Sequence, residues 1–268
     1  MSTVRDRFWI WGHLAGSHNA GWNLPASSRM TPVEGAYYLG VPNLLMIVYQ
    51  GKPEPPFDQE ALAMRPLKQV LWSIVGDSSS RRNDEKSDLE EVVALGAKYP
   101  NIIGAMMDDF FHNAPNAKGE IGRYSPTQLA AFQRALQAGA GRPLDLWVVL
   151  YKQQLELDIA AHLAQCDVVT FWTWRGPQLA DLEKNFARFV ERTPGKRRVL
   201  GCYLWDYGMH RPMPVDLMEH QCTLGLKWLK EKKIEGMIFL SNCVCDLGLD
   251  AIEWTREWIA RVGDERIG

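Results

Sequence analysis

The sequence predicts an α/β protein, a single (β/α)8 TIM barrel spanning residues 1–268 as one domain. Three observations lead there. Short apolar runs alternate with amphipathic stretches eight times along the chain, the pattern of a parallel sheet covered by helices. The length of 268 residues is close to what one such barrel needs. No linker, low-complexity segment or shift of composition divides the chain. An open doubly wound sheet is the competing architecture, but eight regular units favour closure, and no GxGxxG or Walker sequence opens the first helix.

The elements follow in order. The aromatic-rich run Phe8 to His13 reads as strand one, and a polar loop leads to a helix capped by Thr31. Pro32 takes its first turn, Glu34 completes a capping box, and the helix stops at Gly40. Strand two is Leu44 to Tyr49, followed by a Pro-rich loop and a helix from Asp58 to Met64. Val70 to Val75 is strand three, and Asp84 to Lys98 has helical periodicity with Leu89, Val92, Val93 and Leu95 on its apolar side. Strand four, Ile102 to Met107, runs straight into Asp108 and Asp109; Ser125 then caps a helix reaching Ala138 and closed by Gly139. The remaining strands are Leu144 to Tyr151, Val168 to Trp174, Val199 to Trp205 and Met237 to Leu240. Their helices are Leu157 to Gln165, Gln178 to Arg192, Pro214 to Lys232 and Asp250 to Val262.

Composition narrows the classes of function. A hydrophobic fraction of 46% and a charged fraction of 23% are ordinary for a globular chain. A net charge of −2 gives no electrostatic reason to expect nucleic acid or an anionic membrane as partner. The basic clusters at Arg81–Arg82, Lys196–Arg198 and Lys230–Lys233 sit beside acidic residues or at helix ends and read as solvated surface. Five cysteines, an odd number in a chain that needs no staples, point to reduced thiols. Cys243 and Cys245 lack zinc spacing and companion ligands. No apolar stretch approaches a membrane span, and the N-terminus enters a strand without signal-peptide organisation. The expected location is cytoplasmic, with homo-oligomerisation left open.

In this fold, chemistry collects at the C-terminal strand ends. Strand one offers His13, with His18 and Asn19 in its loop; strand two offers Tyr49 and Gln50. Strand four offers Asp108 and Asp109, strand five Tyr151, Lys152 and Gln153, and strand six Trp172, Trp174 and Arg175. Strand seven brings Trp205, Asp206, Tyr207 and nearby His210, and strand eight Ser241, Asn242 and Asp246. Asp108 and Asp109 emerge from a buried apolar strand, where a carboxyl can have its pKa raised as a general acid requires. Asp206 is the natural second carboxylate, because strands four and seven stand almost across the mouth of a closed eight-stranded barrel. Two carboxylates across a sugar-sized gap are what glycoside hydrolysis uses. Eleven tryptophans, several at strand ends, add flat faces suited to sugar rings.

On these residues the chain resembles the large (β/α)8 glycoside hydrolase superfamily. The resemblance covers the whole chain at the level of the fold and rests on a short motif, an acid at the end of strand four and a carboxylate at the end of strand seven. In the best-known clan both are glutamates, with Asn-Glu at strand four, whereas here the residues are Asp108, Asp109 and Asp206. The resemblance implies a small carbohydrate substrate and no cofactor. Asp108 or Asp109 would protonate the glycosidic oxygen, and Asp206 would serve as nucleophile or water-activating base. Sugar contacts would come from His13, His18, Asn19, Tyr49, Tyr151, Trp172, Trp174, Arg175, Trp205, Tyr207, His210 and Asn242. Other readings stay open. His13, His18, His112 and His210 could join an aspartate around a metal, as in barrel hydrolases and sugar isomerases, although strand one lacks an H-x-H pair. Lys152 could form a Schiff base; a serine nucleophile lacks its G-x-S-x-G. A non-catalytic carbohydrate-binding barrel would keep the aromatics and lack the facing acids.

Overall fold

The computed structural model describes residues 2–268. Eight parallel strands form a closed barrel: β1 (Phe8–Gly12), β2 (Asn43–Met46), β3 (Gln69–Val75), β4 (Ile102–Met107), β5 (Asp145–Tyr151), β6 (Val168–Trp172), β7 (Arg197–Tyr203) and β8 (Gly236–Leu240). Neighbours in the chain are neighbours in the sheet, and β8 closes on β1. Strands buried on both faces read as continuous apolar runs rather than alternating ones. Leu44 to Val48 and Leu146 to Leu150 are such runs, and every residue in them is buried. The barrel that the alternation of the sequence predicts is therefore the fold.

The helices are α1 (Pro32–Leu39), α2 (Asp58–Ala63), α3 (Leu89–Lys98), α4 (Pro126–Ala138), α5 (Ala160–Leu163), α6 (Leu182–Arg192), α7 (Val215–Lys230) and α8 (Asp250–Val262). The expected capping box of Thr31 with Glu34 starts α1, and the expected cap Ser125 starts α4, where it forms a box with Gln128. Helix α1 ends at Gly40 in the left-handed region, φ 69°. Among the described residues no helix is long and apolar enough to cross a membrane. All five cysteines are buried free thiols.

Two compact units share the chain. The first comprises Met1–Leu44, Trp172–Asn185 and Arg198–Gly268. In it β8 pairs with β1 from Met237 opposite Phe8 to Leu240 opposite Trp11, and with β7 from Gly236 opposite Val199 to Leu240 opposite Tyr203. Phe8 stacks on Trp258 of α8 at 5.4 Å and meets Phe239 edge-on at 5.5 Å, which docks the last helix on the closing strands. Ser2–Thr3 pairs antiparallel with Arg266–Ile267. The second unit comprises Leu45–Phe171 and Phe186–Arg197. There β3 pairs with β4 and β4 with β5 in parallel register. The β3–β4 register shifts between Ser73 and Val75, so Val75 faces Met107 and its carbonyl accepts from Asp108 N–H at 2.9 Å. A register shift next to a strand end re-aims the residues that follow.

Several elements differ from their expected bounds. The helix expected over Asp84 to Lys98 is a single turn, Arg82–Glu85, followed by α3. Lys86 is extended, and the Asp88 carboxylate turns inward to Arg82 Nη2 at 2.6 Å and Asn83 Nδ2 at 3.2 Å. That buried polar demand outweighs the helical periodicity. The helix expected over Leu157 to Gln165 shrinks to α5, preceded by a 3-10 turn at Lys152–Gln154. Strand six stops at Trp172 and strand seven at Tyr203, while Trp205–Asp206 pairs with Arg211–Pro212 in a separate antiparallel ribbon.

Candidate active site

The acids of the second unit form the first cluster. Asp108 follows directly from β4 and is buried, with 6% exposure. Its Oδ1 accepts the Asp109 backbone N–H at 2.8 Å. Burial raises its pKa well above the ordinary carboxylate value, and the neighbouring Asp109 and Asp77 raise it further. These surroundings favour the protonated form of Asp108.

Asp109 takes a left-handed backbone, φ 41°, unusual for a non-glycine residue. It turns the chain at the strand end and leaves the side chain half-buried. Its Oδ1 accepts from Tyr151 OH at 2.7 Å, and its Oδ2 from Ser78 N–H at 3.0 Å. Two donors, one from the end of β5 and one from the loop after β3, thus fix the plane of this carboxylate. Asp77 completes the loop: its Oδ1 accepts from Gln50 N–H at 2.9 Å and its Oδ2 from the Ser79 hydroxyl.

The aromatic cluster belongs to the first unit. His18 Nδ1 lies 3.0 Å from Tyr207 OH, which is 3.4 Å from Ser241 Oγ. Trp11 Nε1 donates to His13 Nε2 at 3.1 Å, and the His13 and His18 rings are 4.9 Å apart. Burial holds the His18 pKa well below its usual value, and His13 lowers it further. Trp22 meets Tyr207 and Trp174 edge-on at 5.2 and 5.8 Å, and its ring is tilted against His210 at 5.5 Å. Trp22 and Trp174 are half-buried and His210 is exposed, so this cluster presents aromatic surface to solvent.

Other expected contacts are spoken for within the fold. Trp172 is buried against Trp11 and Tyr203 at 5.2 and 5.0 Å. Trp205 is buried, and its indole N–H donates to Trp22 O at 3.1 Å. The Asn19 amide ties its own loop through Ser28 N and O. Asn242 holds His13 N and O and Met30 O. Arg175 is exposed, Tyr49 is half-buried, and the Tyr49 backbone pairs with Lys52.

Asp206 has 0% exposure, and neither carboxylate oxygen has a hydrogen-bond donor. Arg211 Nε, 3.5 Å from Oδ2, is its ion-pair neighbour. A Cβ added at Gly176 would stand 2.6 Å from the same oxygen, so a side chain there would displace the carboxylate. The carboxylate packs toward Gly176 and presents no face to solvent.

Sequence reasoning missed Asp77, Ser78, Arg123, Trp22 and Tyr203. The polar residue Asp77, two positions beyond β3, carries a strand-end signal like that of Asp108 and could have been found by it; Trp22 and Arg123 lie deep in loops, where no periodicity marks them. Among the described residues no group of three or more His, Cys, Asp and Glu side chains is placed to hold a metal ion.

No protein-family model matches the chain, and no curated protein matches it in sequence. Solved structures do. A chitinase from Rhizomucor miehei aligns over 94% of this chain and 99% of its own, with TM-score 0.52 and 12% identity. The glycoside hydrolase domain of PgaB from Bordetella bronchiseptica aligns over 97% and 99%, with TM-score 0.52 and 10% identity. A tamarind chitinase-like lectin aligns over 96% and 99%, with TM-score 0.53 and 9% identity. The likeness is one of fold: the chain shares the (β/α)8 barrel found in these glycoside hydrolases and in a lectin-like relative of one of them.

Proposed function

We propose that the protein is a carbohydrate-active hydrolase that cleaves a glycosidic bond with Asp109 as the reacting carboxylate and Asp108 as its proton-holding neighbour. The observation that supports this is the half-buried Asp109 carboxylate, oriented by Tyr151 and Ser78 beside a buried aspartic acid. Adjacent carboxyls with unlike surroundings divide the acid and base roles between them. In the reaction water adds its hydroxyl to the anomeric carbon as the C–O bond breaks, and the water's remaining proton passes by way of Asp109 to the leaving glycosidic oxygen. Asp109 stabilises the positive charge that develops on the ring, and Asp108 keeps two like charges from meeting at one strand end. Taken by itself, the first unit's cluster of Trp22, Trp174 and Tyr207 is aromatic surface of the kind that sugars bind. Asp206, enclosed on all sides, receives no role in this reading. No cofactor is required by it.

The test is turnover of an aryl-glycoside and oligosaccharide panel by the wild type and by Asp109→Asn. Removal of a positioned acid–base group costs about 10²–10⁴-fold in rate, so Asp109→Asn should lose at least about 100-fold while remaining folded. Wild-type turnover in that variant overturns the assignment. A second reading, a non-catalytic carbohydrate-binding barrel, is favoured by the burial of Asp206, which leaves no second open carboxylate at the end of β7. Saturable sugar binding with no turnover of any substrate would establish it instead.

A further inference from the structure

Arg123 lies far along the loop after β4, and its side chain is only 5% exposed. A buried guanidinium needs acceptors for its five donors. Here Nη1 donates to Gly76 O at 2.7 Å and Asp77 O at 3.2 Å, and Nη2 to Ser80 O at 3.0 Å and Asp84 Oδ1 at 2.7 Å. Three of these acceptors are carbonyls of the loop that follows β3, the loop whose Ser78 N–H holds Asp109. The Arg123 backbone N–H in turn donates to Phe110 O at 3.0 Å, one residue beyond Asp109. One residue therefore clasps both segments that meet at the reacting carboxylate. The partner Asp84 is 57% exposed and lies at the outer edge of the clasp.

Charge points the same way. The titratable and charged groups that face Asp108 are Asp109, Asp77 and Arg123, which with Asp108 itself makes three carboxyls and one cation. Arg123 opposes the effect of its acidic neighbours on Asp108. Without it the cluster would keep its repulsion and lose its counter-charge.

We propose that Arg123 is a positioning residue for the Asp108–Asp109 pair, setting the loop that orients Asp109 and supplying the cation that offsets the three clustered aspartates. The inference rests on the reading of Asp109 as the reacting carboxylate. Lysine keeps the charge without the planar fork; glutamine keeps neither.

The experiment compares Arg123→Gln, Arg123→Lys and Asp84→Asn with the wild type for kcat, KM and pH profile. The Asp108 carboxyl is titrated alongside by carbon-13 NMR on aspartate-labelled protein, which needs no substrate. Misplacement of a reacting group by about 1 Å costs on the order of 100-fold, so Arg123→Gln should lose roughly 10- to 100-fold in kcat with KM little changed. Its Asp108 titration should move to higher pH. Arg123→Lys should lose kcat but titrate near the wild type, and Asp84→Asn, which leaves the three carbonyl contacts in place, should behave as wild type in every readout. Wild-type kcat and an unmoved Asp108 titration in Arg123→Gln overturn the proposal. If that variant does not fold, Arg123→Lys decides, and wild-type kcat there overturns it. Asp109→Asn is run beside them. Full activity in it removes the reading of the site, whereas a loss there with wild-type behaviour in the Arg123 variants removes only the role of Arg123.

Discussion

Asp108 and Asp109 are adjacent in sequence yet differ in burial, and the difference has a thermodynamic consequence at the first of them. A carboxyl whose folded pKa is raised holds a proton that the unfolded chain releases above its own pKa, about 3.9. The unfolded state then binds fewer protons, so folding stability falls as pH rises from that value toward the raised one. Over that interval the loss is about 1.4 kcal/mol for each pH unit. Asp108→Asn removes the titration and keeps an acceptor for the Asp109 N–H. The variant should therefore gain stability relative to the wild type between pH 4 and pH 7, with little gain at pH 3.5. Urea midpoints at pH 3.5, 5 and 7 measure this, and a pH-independent difference would contradict it. At this scale the sequence exposes the two acids, because polar residues at the end of an apolar strand stand out. It does not show which one faces outward. That is decided by the left-handed turn at Asp109 and by Tyr151 and Ser78, brought in from 42 and 31 residues away. Asp206 shows the converse: a carboxylate at an apparent strand end is enclosed, because the chain leaves the barrel at Tyr203 and turns into a separate ribbon.

Elements were legible in proportion to how local their causes are. Capping boxes are four-residue devices, and those at Thr31 and Ser125 sit where these residues predict helix starts. Strand β4 and helix α8 match their expected bounds, the one marked by a continuous apolar run and the other by strong periodicity. Helices interrupted by tertiary contacts were not legible. The break before α3 depends on Asp88 meeting Arg82 and Asn83, and the shortening of α5 accompanies Gln154, which donates to Phe111 O at 2.8 Å. The local causes can be tested singly. In α4, Gln128 N–H donates to Ser125 Oγ at 3.3 Å, and Ser125 N–H donates to Gln128 Oε1 at 2.8 Å. Ser125→Ala removes the first of these and should cost about 1 kcal/mol of folding stability. Urea unfolding should show a lower midpoint with an unchanged slope. Turnover should stay at the wild-type value, because this cap touches neither Asp109 nor its donors.

Closure brings the two ends of the chain together in the first unit, since β8 pairs with β1. The segments outside that pair then form a strap. Val4 N–H donates to Glu265 O at 2.9 Å, Ser2–Thr3 pairs with Arg266–Ile267, and Arg5 lies 3.2 Å from Asp264. The ion pair is a minor part, because Asp264 is 86% exposed and exposed pairs contribute about 0–1 kcal/mol. The backbone bonds matter more, at about 1 kcal/mol each after exchange with water. Removing residues 264–268 deletes the strap but leaves Arg5 N–H bonded to Gly263 O at 2.8 Å and α8 docked through Trp258. The shortened chain should therefore fold, with stability lower by roughly 2–3 kcal/mol and a melting temperature lower by several degrees. Urea and thermal unfolding followed by tryptophan fluorescence would measure both. An unchanged midpoint would mean that the strap contributes nothing beyond what water supplies. Loss of folding would mean that the barrel seam depends on the terminal strands and not on β1, β8 and the Phe8–Trp258 contact.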